Sequence, residues 1–158
     1  MIRVVNCPQR VETFFPSRKH LFLAGGITGC QDWQQEMILQ FVSHANDPIF
    51  SKVILINPRR NDFDVNDPKA SDFQIEWERH HLENVDAIIF WFPCETLCPI
   101  TLYELGVAAA EGTKIFVGCH PDYARRFDVQ KQLSLIRSEV TVHEEFAKLL
   151  EEVYSWLK

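Results

Sequence analysis

The stretch DAIIFWFPCETLCPITLYELGVAAAEGTKIFVG, residues 86–118, decides the fold of this chain. It opens with an apolar run at 86–92 and closes with another at 114–118, and such runs are typical of strands buried on both faces. Between the runs, Pro99 and Thr101 indicate a helix start, and the apolar residues after them predict a helix over 101–112. A strand, a helix and a second strand in this order predict two parallel strands joined by a crossover helix.

The same alternation of strand and helix extends along the rest of the chain. Three more apolar runs predict strands at residues 20–25, 52–57 and 139–143. Helical spacing predicts further helices at residues 31–45, 72–84, about 122–137 and 143–157. The sequence therefore predicts an α/β fold with a five-stranded parallel sheet and helices on both faces, as a single domain over 1–158. The run at 2–6 is a candidate for an additional edge strand.

Composition excludes several functional classes. Apolar residues make up 46% of the chain, enough for a core, and the net charge of −6 argues against binding to nucleic acid polymers or anionic membranes. The longest apolar run, AIIFWFP at 87–93, is too short to span a bilayer, and the first ten residues resemble no export signal. The five cysteines are then expected to be reduced thiols, in a cytoplasmic protein.

Two loops at the predicted carboxyl edge of the sheet are candidates for ligand binding, because ligands of such sheets bind there. In AGGITG (24–29), Gly25 and Gly26 allow close approach of the backbone to a ligand, but the motif is no known phosphate loop and also fits a tight turn. In NPRR (57–60), Arg59 and Arg60 are suited to bind phosphate or carboxylate, or are two solvated arginines. The loop 59–72 that follows either covers a site or is a surface connection.

The predicted helix at 72–84 carries a glutamate where an apolar residue is expected. Glu78 lies on the stripe formed by Ile75, Leu82 and Val85. Burial there raises the pKa of a carboxyl group, which suits a proton donor near neutral pH. An ion pair with a neighbouring residue is the alternative.

Glu104 allows two interpretations. Thr101 and Glu104 match the capping box S/T-x-x-E, in which the glutamate binds the backbone N–H of the cap. The same glutamate near the start of a helix is kept ionised by the helix dipole and is then a nucleophile for an electrophilic carbon.

The remaining histidines and cysteines indicate no metal and no cofactor. His80 and His81 lack an accompanying nucleophile motif, so packing or surface roles are favoured. Cys94 and Cys98 have the wrong spacing for a zinc cluster and lack two further ligands.

Four segments in order, LFLAGGITG, NPRR, IEWERHHLENVDAIIFWFP and PITLYELG, resemble the nucleoside 2-deoxyribosyltransferase-like family over residues 20–132. The resemblance implies a flavodoxin-like three-layer sandwich that cleaves or transfers at the N-glycosidic bond of a (deoxy)nucleoside or nucleotide through a glycosyl-enzyme ester. It implies that Glu104 is the nucleophile and that Glu78 holds and protonates the leaving base. The substrate-binding positions that it suggests are Phe22, Gly25, Gly26, Arg59, Arg60 and Asp86.

Two departures from the family pattern leave alternatives open. Phe22 stands where classical transferases have a tyrosine, and Cys98 is the nearest residue to a missing sugar-binding aspartate. Arg59 and Arg60 would suit a 5′-phosphate and a nucleotide N-glycosidase, and a nucleotide-sensing module without catalysis is a further alternative. Family members commonly form homo-oligomers that complete the pocket across the subunit boundary.

Overall fold

The computed structural model describes residues 2–62, 64 and 66–158, and it contains one parallel sheet between two layers of helices. The strands are β1 (Arg3–Asn6), β2 (Lys19–Gly25), β3 (Val53–Asn57), β4 (Ala87–Phe92), β5 (Ile115–Cys119) and β6 (Val142–His143). The α-helices are α1 (Trp33–Ser43), α2 (Pro68–Leu82), α3 (Pro99–Glu111), α4 (Arg126–Ile136) and α5 (Phe146–Leu157), and a 3-10 turn, Phe50–Lys52, precedes β3.

The sheet has six strands in the order β1-β3-β2-β4-β5-β6, and all neighbours are parallel. The predicted α/β class is confirmed, but the predicted number of five strands is wrong. The candidate edge strand at 2–6 forms β1, which pairs along β3 with Arg3 opposite Ile54. Without β1, the order of the other five strands is that of flavodoxin-like folds.

Alternate residues of the central strands enter two separate cores, as expected for a sheet covered on both faces. The first core lies under α2, α3 and α4 and includes Phe22, Ile56, Phe90, Trp77, Leu105 and Val129. The second core lies under α1 and α5 and includes Leu21, Leu55, Ile89, Met37, Phe41 and Leu149. The prediction of helices on both faces is therefore confirmed.

Two helices begin earlier than the sequence pattern predicts. Helix α2 begins at Pro68, where the Asp67 side chain accepts a hydrogen bond from the Lys69 backbone N–H, so the predicted loop at 59–72 ends sooner. Phe63 and Val65 of that loop lie outside the described residues. Helix α3 begins at Pro99 after Cys98, whose backbone is left-handed with φ of 48°. Glu104 consequently lies in the second turn of α3.

The strand order creates a crevice at the carboxyl edge of the sheet. The chain leaves β2 toward β3 on one side, and it leaves β4 toward β5 on the other. Loops that diverge from adjacent parallel strands in this way leave room for a ligand between them. Among the described helices, none is both long and apolar enough to cross a membrane.

Candidate functional site

A cavity of about 690 Å³ occupies this crevice. Its walls are the second half of β2 and the loop after it, the loop after β3, residues 71–78 of α2, the loop after β4, and the start of α3. It brings together seven of the residues that the sequence singled out, namely Phe22, Gly25, Gly26, Arg59, Arg60, Glu78 and Glu104.

Glu104 is a buried acid in the cavity wall. Glu104 is 9% exposed. Within the described part of the chain, no group donates a hydrogen bond to its carboxyl. Burial is the main cause that raises the pKa of Glu104, the charge of Glu78 also raises it, and Arg79 lowers it, so that the pKa is about 8. At neutral pH and without a ligand, the Glu104 carboxyl is therefore mostly protonated.

Both sequence interpretations of Glu104 need correction. The capping box does not form, because α3 begins at Pro99 and Cys98 occupies the cap without a side-chain hydrogen bond. Thr101 lies inside the helix, so Glu104 is one turn too far along to reach the first backbone N–H groups. The expected ionised state is also wrong for the unliganded protein, because the pKa of Glu104 is raised to about 8, mainly by burial.

Glu78 lies on α2 and faces the same cavity. Its Oε1 accepts a hydrogen bond of 2.7 Å from the Gln74 side-chain amide. Burial raises the pKa of Glu78 and the Gln74 bond opposes that rise, so the prediction of a raised pKa is confirmed. Arg79 lies 3.8 Å from Glu83, and no ion pair joins Glu78 to the described cations.

The apolar stripe predicted for this helix is wrong in part. Ile75 is 64% exposed and lines the cavity, whereas the buried residues of α2 are Trp77, His81 and Leu82. Glu78 therefore looks into the cavity rather than into the core, which explains how a carboxyl group can be accommodated there.

The two arginines line the cavity but are bound within the chain. Arg59 Nε lies 3.0 Å from Gln34 Oε1 and 3.1 Å from Asp32 Oδ1, and its Nη2 donates to the Gln31 carbonyl at 2.9 Å. Arg60 donates from Nε and Nη2 to the two carboxylate oxygens of Asp62, at 3.1 and 3.2 Å. Arg59 thus holds the loop before α1, and a phosphate would have to compete with these partners.

Gly25 and Gly26 are required by close packing of the turn after β2. A Cβ at Gly25 would lie 2.3 Å from the Trp91 carbonyl oxygen and 2.5 Å from the Trp33 ring. A Cβ at Gly26 would lie 2.7 and 2.8 Å from the sulfurs of Cys30 and Cys98. The two glycines therefore serve the tight turn that places the backbone at the cavity.

Phe22 lines the cavity, whereas Asp86 does not. The Phe22 ring is 1% exposed, lines the cavity and packs against Trp77 with ring centroids 6.2 Å apart. Asp86 precedes β4, so it lies at the amino edge, where it accepts from the His20 backbone N–H at 2.7 Å and lies 3.7 Å from Lys19 Nζ. The structure does not bring Asp86 to the cavity, whose lining includes Phe22 but not Asp86.

The two histidines of α2 have structural roles, as predicted. His81 Nε2 accepts from the Val11 backbone N–H at 3.1 Å, so Nδ1 donates to the Trp77 carbonyl at 2.7 Å. Burial lowers the pKa of His81 to about 4, and the ring stays neutral. His80 Nε2 lies 2.8 Å from the Val11 carbonyl oxygen. Within residues 2–62, 64 and 66–158, no three His, Cys, Asp or Glu side chains cluster to hold a metal ion.

Gln74 and Thr96 line the cavity but were missed by sequence reasoning. Gln74 lies one helical turn before Glu78, and that spacing was the available signal. Thr96 belongs to the loop after β4, where Thr96 Oγ1 lies 3.2 Å from Cys98 Sγ.

The comparisons with known proteins agree with this geometry. A model of the family described as nucleoside 2-deoxyribosyltransferase like matches residues 18–123, a range that contains both cavity glutamates. A search of curated proteins found no match. Because the family match covers more than half of the chain, the protein belongs to the nucleoside 2-deoxyribosyltransferase-like family.

Proposed function

We propose that this protein breaks the N-glycosidic bond of a deoxynucleoside and passes the sugar to a second base or to water. The single observation that carries the proposal is the pair of acids, Glu78 and Glu104, in the wall of one cavity at the carboxyl edge of the sheet. Burial raises the pKa of each, and the charge of Glu78 also raises that of Glu104, which are surroundings in which one acid can serve as nucleophile and the other as proton donor.

The first step forms an ester on Glu104. A carboxylate oxygen of Glu104 bonds to the anomeric carbon as the C–N bond breaks, and the electron pair stays with the leaving base. The proton of Glu78 moves to that base, so the base leaves without a negative charge. A deoxyribose ring assists because it lacks the 2′-hydroxyl that would oppose positive charge at the anomeric carbon.

The second step reverses these roles. An acceptor base or a water molecule bonds to the anomeric carbon, its proton moves to Glu78, and the ester bond to Glu104 breaks. This is the two-carboxylate logic of retaining glycosidases. The productive state has one proton on the pair, carried by Glu78. Because Glu104 is mostly protonated in the unliganded protein, this state requires that Glu104 lose its proton to solvent as the substrate binds, and activity is expected to rise and then fall with pH.

The engagement of both arginines favours a substrate without a 5′-phosphate. Asp32, Gln34 and Asp62 already accept from Arg59 and Arg60. The alternative, a nucleoside 5′-monophosphate N-glycosidase, is supported by the position of both guanidinium groups in the cavity wall. A parallel assay of deoxynucleosides and their 5′-monophosphates distinguishes the two, and the nucleosides are expected to give the higher kcat/KM.

We also propose that the protein is a cytoplasmic homo-oligomer. Apolar side chains are exposed beside the cavity, namely Leu97 (53%), Ile100 (65%) and Tyr103 (64%). Ile75 extends this apolar rim. Apolar surface of this kind is commonly covered by a partner. The five cysteines are free, which fits a reducing compartment. Light scattering tests the oligomer, and a mass of one chain would contradict it.

Base release and base exchange measured by chromatography test the main proposal. Glu104→Gln is expected to abolish both reactions, whereas Glu111→Gln, an exposed control on the same helix, is expected to retain them. Full activity of Glu104→Gln would contradict the proposal. Tight binding of nucleosides by the wild type without turnover would favour the sensing module instead.

A further inference from the structure

We propose that Gln74 is a positioning residue of the reaction, which fixes Glu78 so that its acid proton lies on Oε2. The inference rests on the proposed function, because it concerns how Glu78 serves as the acid. Gln74 lies one turn before Glu78 on α2 and lines the same cavity.

Both the nitrogen and the oxygen of the Gln74 side-chain amide are hydrogen-bonded. Its Nε2 donates to the Pro58 carbonyl oxygen at 3.0 Å and to Glu78 Oε1 at 2.7 Å. Its Oε1 accepts from Cys7 Sγ at 3.1 Å. Three different segments, the end of β1, the loop after β3 and α2, therefore meet at this one amide.

The orientation of the amide follows from its partners. A backbone carbonyl such as that of Pro58 can only accept, so the NH₂ group must face it. Burial raises the pKa of Cys7 to about 11, so its thiol keeps its hydrogen and donates to the amide oxygen. Both hydrogens of Nε2 are then directed at acceptors, one at Pro58 and one at Glu78.

This orientation decides which oxygen of Glu78 carries the proton. An amide N–H only donates, so Oε1 accepts, and in a neutral carboxyl group the carbonyl oxygen is a much better acceptor than the hydroxyl oxygen. When Glu78 is neutral, its proton therefore lies on Oε2. A general acid whose proton has one defined position is ready to transfer it to a leaving base in the cavity.

The same bond adjusts the acidity of Glu78. It favours the carboxylate and opposes the rise in pKa that burial causes. Without it the pKa of Glu78 rises, and the coupled pair with Glu104 loses its protons at higher pH. Removal of Gln74 is therefore expected to move the pH window of activity upward.

Gln74→Met tests the inference, with Gln35→Met on the exposed face of α1 as the matched control. Two substrates are compared, a natural deoxynucleoside and a 4-nitrophenyl 2-deoxyriboside, whose leaving group departs without a proton. Gln74→Met is expected to lower kcat/KM for the nucleoside by about 10- to 100-fold. It should change kcat/KM for the aryl substrate by less than about threefold and shift the pH window upward. Gln35→Met should match the wild type.

Two further variants sharpen the test. Cys7→Ala removes the donor to the amide oxygen and should produce a smaller shift in the same direction, whereas Cys7→Ser retains a donor and should restore the wild-type profile. The carbon-13 shift of the Glu78 carboxyl against pH gives a readout without turnover, and its pKa should rise in Gln74→Met.

The outcomes separate the two proposals. Equal losses on both substrates, with an unmoved pH window and an unchanged Glu78 pKa, would overturn the role of Gln74 and leave the proposed function in place. Failure of the wild type to act on either substrate, or full activity of Glu104→Gln on both, would overturn the proposed function and the catalytic part of this inference with it.

Discussion

Acidic side chains lie at both edges of the sheet, and their surroundings differ. At the amino edge, Asp86 accepts from the His20 backbone N–H and lies beside Lys19. At the carboxyl edge, Glu104 is buried without a hydrogen bond from any described residue, and burial raises its pKa. A carboxylate with protein donors stabilises the fold, whereas a carboxyl group that is buried in a cavity wall and has no such donor costs stability when it ionises. The comparison is consistent with the proposal that Glu104 acts on a ligand, whereas the contacts of Asp86 are with the protein itself.

The largest expected effect is on activity at the carboxyl edge. Glu78→Gln removes the acid and is expected to lower kcat/KM for a deoxynucleoside by about 10² to 10⁴-fold. Asp86→Asn should keep kcat/KM within about threefold, since Asp86 does not line the cavity. Steady-state kinetics of both variants measures this difference, and equal losses of kcat/KM in the two variants would contradict it.

The next effect concerns the pH dependence of stability. The pKa of Glu104 is about 8 in the folded chain, against an ordinary value of 4.5. Between these values the folded state holds a proton that the unfolded state releases, so the Glu104 contribution to stability falls as pH rises from about 4.5 to 8. The fall is at most about 1.4 kcal/mol per pH unit.

Denaturant unfolding of the wild type and Glu104→Gln at several pH values measures this dependence. The neutral glutamine cannot ionise, so the variant should gain stability relative to the wild type as the pH rises over that range. A constant difference between the two would show that Glu104 has an ordinary pKa.

A smaller effect is expected at the amino edge. Asp86→Ala removes the acceptor of the His20 backbone N–H and the partner of Lys19, and it should lower the free energy of unfolding by about 1 to 2 kcal/mol. Lys19→Met should cost less, because an exposed ion pair contributes about 0 to 1 kcal/mol. Urea unfolding measures both. A more stable Asp86→Ala would contradict the structural role of this residue.

The smallest effect is expected at the Arg59 contacts. Arg59→Met loses hydrogen bonds to Gln34 and to the Gln31 carbonyl, and it should lower the free energy of unfolding by about 1 kcal/mol. Its kcat/KM for a deoxynucleoside should fall less than that of Glu78→Gln. Two results together would instead assign Arg59 to phosphate binding: faster turnover of a 5′-monophosphate than of the nucleoside by the wild type, and a loss of activity in Arg59→Met on the 5′-monophosphate alone.

Much of the fold was predictable because parallel strands buried on both faces have continuous apolar sequences. Residues 87–92 and 115–119 are buried throughout, which is why their runs have no polar alternation. The sixth strand was harder to predict, because β1 has only four residues and is half covered at the edge. Helix starts were missed by two to four residues, because Pro68 and Pro99 rather than the first apolar residues begin α2 and α3.

The cavity residues were predictable in part, and their bonds were not. The helix start after β4 predicted Glu104 at the carboxyl edge, whereas the spacing of Glu78 predicted only a place on the apolar stripe of its helix, and Gln74 and Thr96 were missed. The partners of Arg59 and Gln74 lie far away in sequence, at Asp32 and Cys7, and no local pattern reveals such contacts. The pKa of Glu104 likewise depends on burial by elements that only the folded chain brings together.

The most direct test of the central claim is mass spectrometry of the protein after acid quenching during turnover of a deoxynucleoside. The account predicts a fraction of the wild-type chain heavier by one deoxyribosyl group, with the added mass on the peptide that contains Glu104, and no such species in Glu104→Gln. An adduct on another residue, or active turnover by Glu104→Gln with no adduct in either protein, would contradict it.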